Sequence, residues 1–234
     1  DRNYNALKST LLGLAIEGLD TVLAVTGDPV RIGDNPYLKS RADFDSRTLA
    51  EIISQWNATD FPRPCTIAGA LNVNAQSFSA ELERAERKAK AGMSVFFTQP
   101  VIGEKAAENV RRAREALPRS VMLVAGILPI VSFRNAEYLA SSIAGIRVDR
   151  EIAERYRDVS KEEATEIATS ISVSMMERIA DAVDGFCLIT PFKRIDIVES
   201  IIARSSELRE APELREAPEL REANDERDYL SLAI

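Results

Sequence analysis

Polar side chains follow three of the apolar segments of this chain of 234 residues, at the points where buried strands would end. Asp28 comes after the first segment, Asn72 and Asn74 after the second, and Gln99 after the third. In α/β barrels the chemistry gathers at the C-terminal ends of the strands. One carboxylate among neutral hydrogen-bonding groups, without a lysine or a carboxylate cluster, is typical of a site that binds a planar polar heterocycle and leaves the chemistry to a cofactor.

Each of these residues also has a simpler interpretation. Asp28 precedes a proline and could serve only as a turn former, and Gln99, which also precedes a proline, could lie on a loop surface. Three cations of the charged segment 79–91 could form only its solvated face: Arg84, Arg87 and Lys88. The choice between these interpretations depends on the strands and helices that would position the side chains.

Short apolar runs alternate with longer helical patterns along the chain. Runs rich in Val, Ile, Phe and Ala predict strands over 21–26, 66–71, 94–98, 121–127 and 185–190. Apolar spacing and end signals predict helices over 46–57, 79–91, 104–117, 133–142 and 160–183. Ser160 and Glu163 form a capping-box pattern at the start of the last helix.

Repeated strand–helix units predict an α/β fold. A doubly wound sheet usually carries a glycine-rich phosphate turn after its first strand, and the segment TGDPVRIGD does not have that pattern. A TIM barrel has eight such units, so the pattern favours a partial barrel, which we expect to occupy 1–205. We expect 206–234 to be a charged low-complexity tail, because the ELREAP repeats place a proline in every unit and prevent a continuous helix.

The composition excludes several kinds of function. The chain contains no histidine, which excludes Ser-His-Asp and Cys-His catalysis and histidine-ligated metal sites within it, and no metal site is predicted. A net charge of −7 argues against a nucleic-acid binder. The longest charge-free apolar run, 121–132, is too short for a membrane span. Cys65 and Cys187 are expected to be reduced, which indicates a cytoplasmic location.

Several separated motifs resemble the methylenetetrahydrofolate reductase family. The similarity is greatest to the reductase half of bacterial bifunctional homocysteine S-methyltransferase/methylenetetrahydrofolate reductase proteins. In chain order the motifs are DRN, LLGL, VLAVTGDPVRIGD, GALNVN, AGMSVFFTQPV, AGILPIVSFRNAEYL, GIRV and LITPFKR. Together they are far more specific than any one of them, and they cover most of the chain before the repeats.

The resemblance implies a TIM barrel that binds FAD, with its first three strands absent from this chain. In the family, the first of those strands carries a general-acid glutamate, and no residue here matches it by motif. The implied reaction is the reduction of 5,10-methylenetetrahydrofolate to 5-methyltetrahydrofolate with NADH or NADPH, in one-carbon and methionine metabolism.

The same motifs imply roles for individual residues. Asp28 would lie beside both the flavin and the folate, as a catalytic residue and a substrate contact, and would lower the reduction potential of the flavin. Gln99 would hydrogen-bond the pterin, and Phe133 would pack on the folate or the nicotinamide. Nine residues would bind FAD, the last four of them at its ribose and diphosphate: Thr26, Gly27, Leu71, Asn72, Asn74, Glu81, Arg84, Arg87 and Lys88.

Two other hypotheses stay open at this point. A truncated, catalytically inactive fragment would act as a binding or structural module, because missing strands expose the edges of a sheet. A barrel enzyme without a flavin, such as a lyase or an aldolase, is disfavoured by the lack of a strand-end lysine or metal cluster. As partners, the resemblance allows a folate substrate, further copies of the chain in a homo-oligomer, and a methyltransferase domain upstream.

Overall fold

The computed structural model describes residues 3–26 and 44–210, with side chains through residue 206. Its strands are β1 (Thr21–Leu23), β2 (Thr66–Leu71), β3 (Met93–Thr98), β4 (Met122–Ile127) and β5 (Gly185–Leu188). Its helices are α1 (Tyr4–Ile16), α2 (Ser46–Thr59), α3 (Phe78–Lys90), α4 (Glu104–Ala116), α5 (Phe133–Ser142), α6 (Arg150–Glu154), α7 (Lys161–Ile179) and α8 (Ile195–Glu210). A short 3-10 helix, Pro191–Lys193, joins β5 to α8.

All five strands pair in parallel, in the order in which they occur along the chain. Thr21 of β1 pairs with Thr66 of β2, and Leu71 of β2 pairs with Thr98 of β3. Strand order in a doubly wound sheet reverses at a switch point, whereas this order never reverses, so the sheet curls in one direction like part of a barrel. The predicted α/β barrel architecture is confirmed as a five-stranded half-barrel, and the absence of three preceding strands stays an expectation.

The main hydrophobic core lies between the convex face of this sheet and the helices. Side chains alternate between the two faces of a strand, and four large ones on the helical face are at most 2% exposed. They are Ile67, Leu71, Phe96 and Leu123, and they pack in one cluster with apolar residues of α2, α3 and α4. Burying each such side chain stabilises the fold by about 1.5–3 kcal/mol. This layer therefore fixes the strand ends relative to the helices that carry the polar residues.

The concave face of the sheet is much less covered. Leu23 is 52% exposed, Met122 is 48% exposed, and Val25, just beyond β1, is 55% exposed. In a complete TIM barrel, layers of side chains fill this interior. Within the described ranges, these three apolar side chains remain open to solvent.

Most of the predicted elements are confirmed, with small differences at their ends. α5 has the predicted bounds, and Ser160 and Glu163 form the predicted capping box before α7, which ends at Ile179. β1 and β5 end earlier than predicted. One N–H beyond each strand still bonds to the neighbouring strand, that of Ala24 to the Ala68 carbonyl and that of Ile189 to the Ile127 carbonyl. The sequence patterns do not predict α1, α6 or α8.

The C-terminal helix crosses the predicted boundary at residue 205. α8 continues to Glu210, so the proposed division falls inside this helix. The ELREAP repeats beyond residue 210 lie outside the described residues, and the prediction of a low-complexity tail stays a prediction.

Candidate functional site

α3 and the start of α2 enclose a pocket beside the end of β1. The volume of the pocket is about 320 Å³, and four of the side chains around it are cationic. Its lining residues are Thr26, Asp45, Ser46, Arg47, Arg84, Arg87 and Lys88. We call this site the cationic pocket. It brings together Thr26 and the three α3 cations that the resemblance assigns to FAD.

The spacing of residues along α3 places its cations together. Ser77 begins the helix by accepting a hydrogen bond, 3.5 Å long, from the backbone N–H three residues further on. Residues three or four positions apart lie on one helical face, so Arg84, Arg87 and Lys88 are neighbours. The helix stops before Gly92, whose φ of 108° costs glycine little. α3 therefore presents a fixed row of three cations.

Glu81 connects the row of α3 cations to the end of β2. It is 6% exposed, and one carboxylate oxygen accepts hydrogen bonds from Arg84 Nε at 2.9 Å and Nη2 at 2.6 Å. The other oxygen accepts a hydrogen bond of 3.0 Å from the backbone N–H of Asn72 at the end of β2. A buried carboxylate needs such partners to offset the loss of water. Glu81 therefore orients Arg84 at the pocket.

Lys88 is a partly desolvated cation. Its ammonium group donates a hydrogen bond of 2.9 Å to the carbonyl oxygen of Ala70 in β2, and its side chain is half-buried. Burial lowers the pKa of Lys88 below the ordinary lysine value, Glu81 opposes this shift, and Arg84 adds to it. A bound anion can replace the water that such a group has lost. Lys88 is therefore well placed to contact a phosphate.

Thr26 and Asp45 fix the start of α2 at the same pocket. The Thr26 hydroxyl accepts a hydrogen bond of 3.1 Å from the Ser46 N–H, and the Asp45 carboxylate accepts one of 2.7 Å from the Thr48 N–H. These bonds satisfy two of the N–H groups that a helix leaves free at its start. The bonds to Thr48 also hold the pKa of Asp45 below its ordinary value. Asp45 is therefore a carboxylate at neutral pH.

Asn74 has a structural role at the strand ends. It is 8% exposed, and its side-chain amide donates hydrogen bonds to the carbonyl oxygens of Pro100 at 3.0 Å and Gly145 at 2.9 Å. These two bonds use both hydrogens of the amide group. Asn74 thus connects the ends of β2 and β3 to the loop after α5, and it has no N–H left for a cofactor.

Asn72 and Gln99 lie next to each other under the same loop. A Cβ atom on Gly145, whose φ is 81°, would be 3.4 Å from Asn72 Nδ2 and 3.5 Å from the Gln99 side chain. The Asn72 side-chain oxygen accepts a hydrogen bond of 3.0 Å from the Asn74 N–H. Among the residues that the structure describes, none hydrogen-bonds the Gln99 side-chain amide at the end of β3. We call Asn72, Asn74 and Gln99 the amide edge.

Phe133 begins α5 shortly after the end of β4. The Arg157 guanidinium lies 4.1 Å from the centroid of the Phe133 ring, and Glu154 holds that guanidinium by hydrogen bonds of 2.6 and 2.9 Å. The ring also packs against an apolar cluster that includes Leu139 and Tyr156. A ligand that stacks on this face of the Phe133 ring therefore has to displace Arg157.

Three predicted site residues are not part of this arrangement. Gly27 and Asp28 lie outside the described residues, so their roles stay predictions. Leu71 is fully buried in the main core, and its carbonyl oxygen accepts a hydrogen bond of 2.9 Å from the Gln99 N–H. Its side chain is turned to the helices, so a cofactor contact at Leu71 would have to use its backbone, and the role of Leu71 stays a prediction.

Sequence reasoning missed two cations at the site. Arg47 lines the cationic pocket from α2, and Arg157 covers Phe133. Arg47 had a local signal, because the spacing of Asp45 and Thr48 marks a helix start and puts Arg47 in its first turn. Arg157 had none, since it lies far from Phe133 in sequence.

Neither a metal-ligand cluster nor a membrane-spanning helix occurs among the described residues. Among the residues that the structure describes, no three Asp, Glu or Cys side chains are grouped closely enough to hold a metal ion. Cys65 and Cys187 are both free, as expected. Over residues 3–26 and 44–210, no helix has the length and apolar character needed to cross a membrane.

Fold and site together define a class of protein, a parallel α/β half-barrel with a cationic pocket beside neutral amides at its strand ends. The family model for methylenetetrahydrofolate reductase matches residues 1–206. The chain therefore belongs to the methylenetetrahydrofolate reductase family. The family resemblance of the sequence motifs is confirmed, and the bifunctional subtype stays an expectation.

Comparison with individual proteins adds little to this result. None of the curated proteins matches the chain. Among solved structures, the chain is similar to one described as an uncharacterized protein from Clostridium thermocellum that binds two copies of 5-methyl-5,6,7,8-tetrahydrofolic acid. The sequence identity is 16% and the TM-score is 0.47, with 68% of this chain and 58% of that chain covered. The chain thus spans little more than half the length of that protein.

Proposed function

We propose that this chain takes part in the FAD-dependent reduction of 5,10-methylenetetrahydrofolate to 5-methyltetrahydrofolate, with NADH or NADPH as the reductant. Membership of the family supports an oxidoreductase that acts on folate. The observation that carries the assignment of the cofactor is the cationic pocket, because Thr26, Arg84, Arg87 and Lys88 line one cavity. When bound, FAD supplies the hydride-transfer chemistry that protein side chains lack.

The cationic pocket fits the ribose and diphosphate of FAD. Guanidinium and ammonium groups pair with phosphate oxygens in charge-assisted hydrogen bonds. The four cations around the pocket outnumber Asp45, the one carboxylate among its lining residues. The pocket volume of about 320 Å³ is at the lower end of the range for small-molecule sites, so the pocket would hold one end of the cofactor.

The amide edge would take the flat ring systems. Neighbouring strands lie about 4.8 Å apart, so the cationic pocket beside β1, Gln99 after β3 and Phe133 after β4 form a row along one rim of the sheet. A ligand with a charged group at one end and planar rings at the other suits this order. Gln99 would bond the pterin and orient it, and Asp28 would contribute the carboxylate beside it.

Absorbance spectroscopy of the purified chain tests this proposal. We expect the chain to take up FAD, to lose flavin absorbance when NADH or NADPH is added without oxygen, and to regain it with 5,10-methylenetetrahydrofolate. The product should be 5-methyltetrahydrofolate, and a sample with FAD but without nucleotide is the control. Uptake of FAD without reduction by either nucleotide would contradict the proposed reaction.

The concave face favours a second candidate function, a binding or structural module without catalysis. Its exposed apolar side chains include Leu23 and Met122, and within the described chain β1 and β5 each pair with one strand only. Unpaired strand edges and apolar surface favour association with another chain. A protein that takes up no added FAD, and whose mass in light scattering shows association, would support this candidate instead.

A further inference from the structure

Arg47 is the one cation lining the cationic pocket that α3 does not supply. It lies in the first turn of α2, whereas Arg84, Arg87 and Lys88 all belong to α3. Its guanidinium pairs with Glu51 one turn further along α2, and its side chain is 41% exposed. A guanidinium carries five N–H donors, so this pair leaves donors available to a ligand.

The backbone around Arg47 fixes its position at the pocket. In the first turn of α2, the Thr26 hydroxyl accepts a hydrogen bond from the Ser46 N–H, and the Asp45 carboxylate accepts one from the Thr48 N–H. The backbone N–H of Arg47 also hydrogen-bonds the Asp45 carboxylate and helps to hold its pKa low. The donors that Arg47 offers to a ligand are therefore those of its guanidinium, on a helix start that these bonds hold in place.

Arg47 also decides the charge of the α2 side of the pocket. Asp45 lines the pocket as a carboxylate, since its hydrogen bonds to Thr48 and the charge of Arg47 hold its pKa low. Without Arg47, Asp45 and Glu51 would make this side negative and would repel a phosphate. With Arg47, the α2 side can accept a phosphate as the α3 side can.

We propose that Arg47 is a further cofactor-binding residue, which holds a dinucleotide diphosphate between α2 and α3 together with the α3 cations. This inference rests on the proposed function and extends the phosphate site from α3 to a second helix. A diphosphate carries two charged groups and more acceptor oxygens than a single phosphate, so it can pair with cations of both helices at once. Arg47 therefore favours FAD over FMN, and it contributes nothing to the binding of riboflavin.

Binding titrations with phosphate-bearing and phosphate-free probes test this role. The probes are FAD, FMN, riboflavin and ADP, added to the wild-type chain, Arg47→Gln, Arg47→Lys and the control Arg119→Gln. Arg119 is exposed between α4 and β4, away from the pocket. Loss of a charge-assisted hydrogen bond should weaken FAD and ADP binding to Arg47→Gln about tenfold. Riboflavin should bind Arg47→Gln as tightly as it binds the wild-type chain. Arg47→Lys should recover part of the lost FAD and ADP affinity. Equal thermal unfolding midpoints would show that the variants fold.

The outcomes separate this inference from the proposed function. Equal FAD affinity of the wild-type chain and Arg47→Gln would overturn the role of Arg47 and leave the proposed function standing. ADP binding that depends on Arg47, in a chain that binds no FAD, would support the phosphate contact and contradict the proposed function. A chain that binds neither FAD nor ADP would overturn both.

Discussion

The cationic pocket and the amide edge lie on the same rim of the sheet, but they are built differently. The pocket takes its charges from two helices, and its cations outnumber the carboxylate that lines it with them. The amide edge consists of neutral strand-end residues. In Asn74, both side-chain N–H groups donate hydrogen bonds to the carbonyl oxygens of Pro100 and Gly145. One region keeps donors available, while the other uses most of them to hold the loops together.

This difference shows that a position at a strand end is not enough to identify a ligand-binding residue. A ligand gains most from groups whose hydrogen bonds are not already made within the protein. By this criterion Lys88 and Gln99 remain strong candidates, whereas Asn74 becomes a structural residue. Substitutions in the two regions should therefore have different effects, on stability for Asn74 and on ligand binding for Lys88 and Gln99.

Asn74→Ala should destabilise the fold. We expect the free energy of unfolding to fall by about 3 kcal/mol, because two carbonyl oxygens lose their donor and each unsatisfied buried group costs about 1–3 kcal/mol. Urea denaturation followed by circular dichroism measures this loss. Asn72→Ala is the matched control, and its free energy of unfolding should fall much less. Among the described residues, the Asn72 side chain makes one hydrogen bond, which it accepts from the Asn74 N–H. An equal loss in both variants would contradict the structural role of Asn74.

Lys88→Met should weaken FAD binding with little effect on stability. Methionine keeps the length of the side chain and removes its charge, so we expect a loss of about 2 kcal/mol, or roughly 30-fold in affinity. A fluorescence titration of FAD measures it. Lys90→Met, an exposed site on the same helix but outside the cationic pocket, should bind FAD like the wild-type chain. If Lys90→Met lost as much affinity as Lys88→Met, a general charge effect would explain the result.

Gln99→Ala should separate folate binding from cofactor binding. Removing its open amide should weaken folate binding by about 1.5 kcal/mol, the usual cost of one lost hydrogen bond to a ligand. FAD affinity should stay the same, because Gln99 does not line the cationic pocket. Isothermal titration with 5-methyltetrahydrofolate measures the first quantity, and Gln76→Ala on an exposed loop is the control. Unchanged folate affinity would show that Gln99 does not contact folate and is a residue of the loop surface.

The smallest expected effect is the pH dependence of FAD binding. Burial lowers the pKa of Lys88 below the ordinary value of 10.5, whereas the arginines of the pocket keep their charge. As pH rises through the lowered pKa, Lys88 loses its proton and its attraction for a phosphate. FAD affinity should therefore begin to fall below pH 10.5, and by less than about tenfold in total. The same titration series with Lys88→Met should be flat, and an equal slope in both proteins would exclude Lys88 as the titrating group.

The sequence predicts the sheet and most of the helices, because their signals are local. Apolar runs such as 121–127 mark buried strands, and capping residues such as Ser160 mark helix starts. α1 was missed because its apolar residues do not form one buried stripe, and Ala15 is its one buried residue. α8 had a usable signal in Ile197 and Ile201, which are four positions apart and fully buried.

The candidate site is less predictable, because its decisive contacts join distant parts of the chain. The motifs on α3 indicate the three cations, and the structure places them in one pocket. The role of Asn74 depends on the carbonyl oxygen of Gly145, which no local pattern connects to it. The orientation of Leu71 follows from the pairing of β2 with β3 and from the helices that cover it. Only the folded arrangement distinguishes an amide that is available from one that is already bonded.

A comparison of FAD with riboflavin as ligands of the wild-type chain tests the central claim most directly. The two compounds share the flavin ring, and only FAD carries the diphosphate that the cationic pocket would hold. Since one charge-assisted hydrogen bond is worth about 1.5–3 kcal/mol, FAD should bind at least about tenfold more tightly at low salt. The advantage should shrink as salt screens the charges. Equal affinity for FAD and riboflavin, or a preference that salt does not change, would contradict the account.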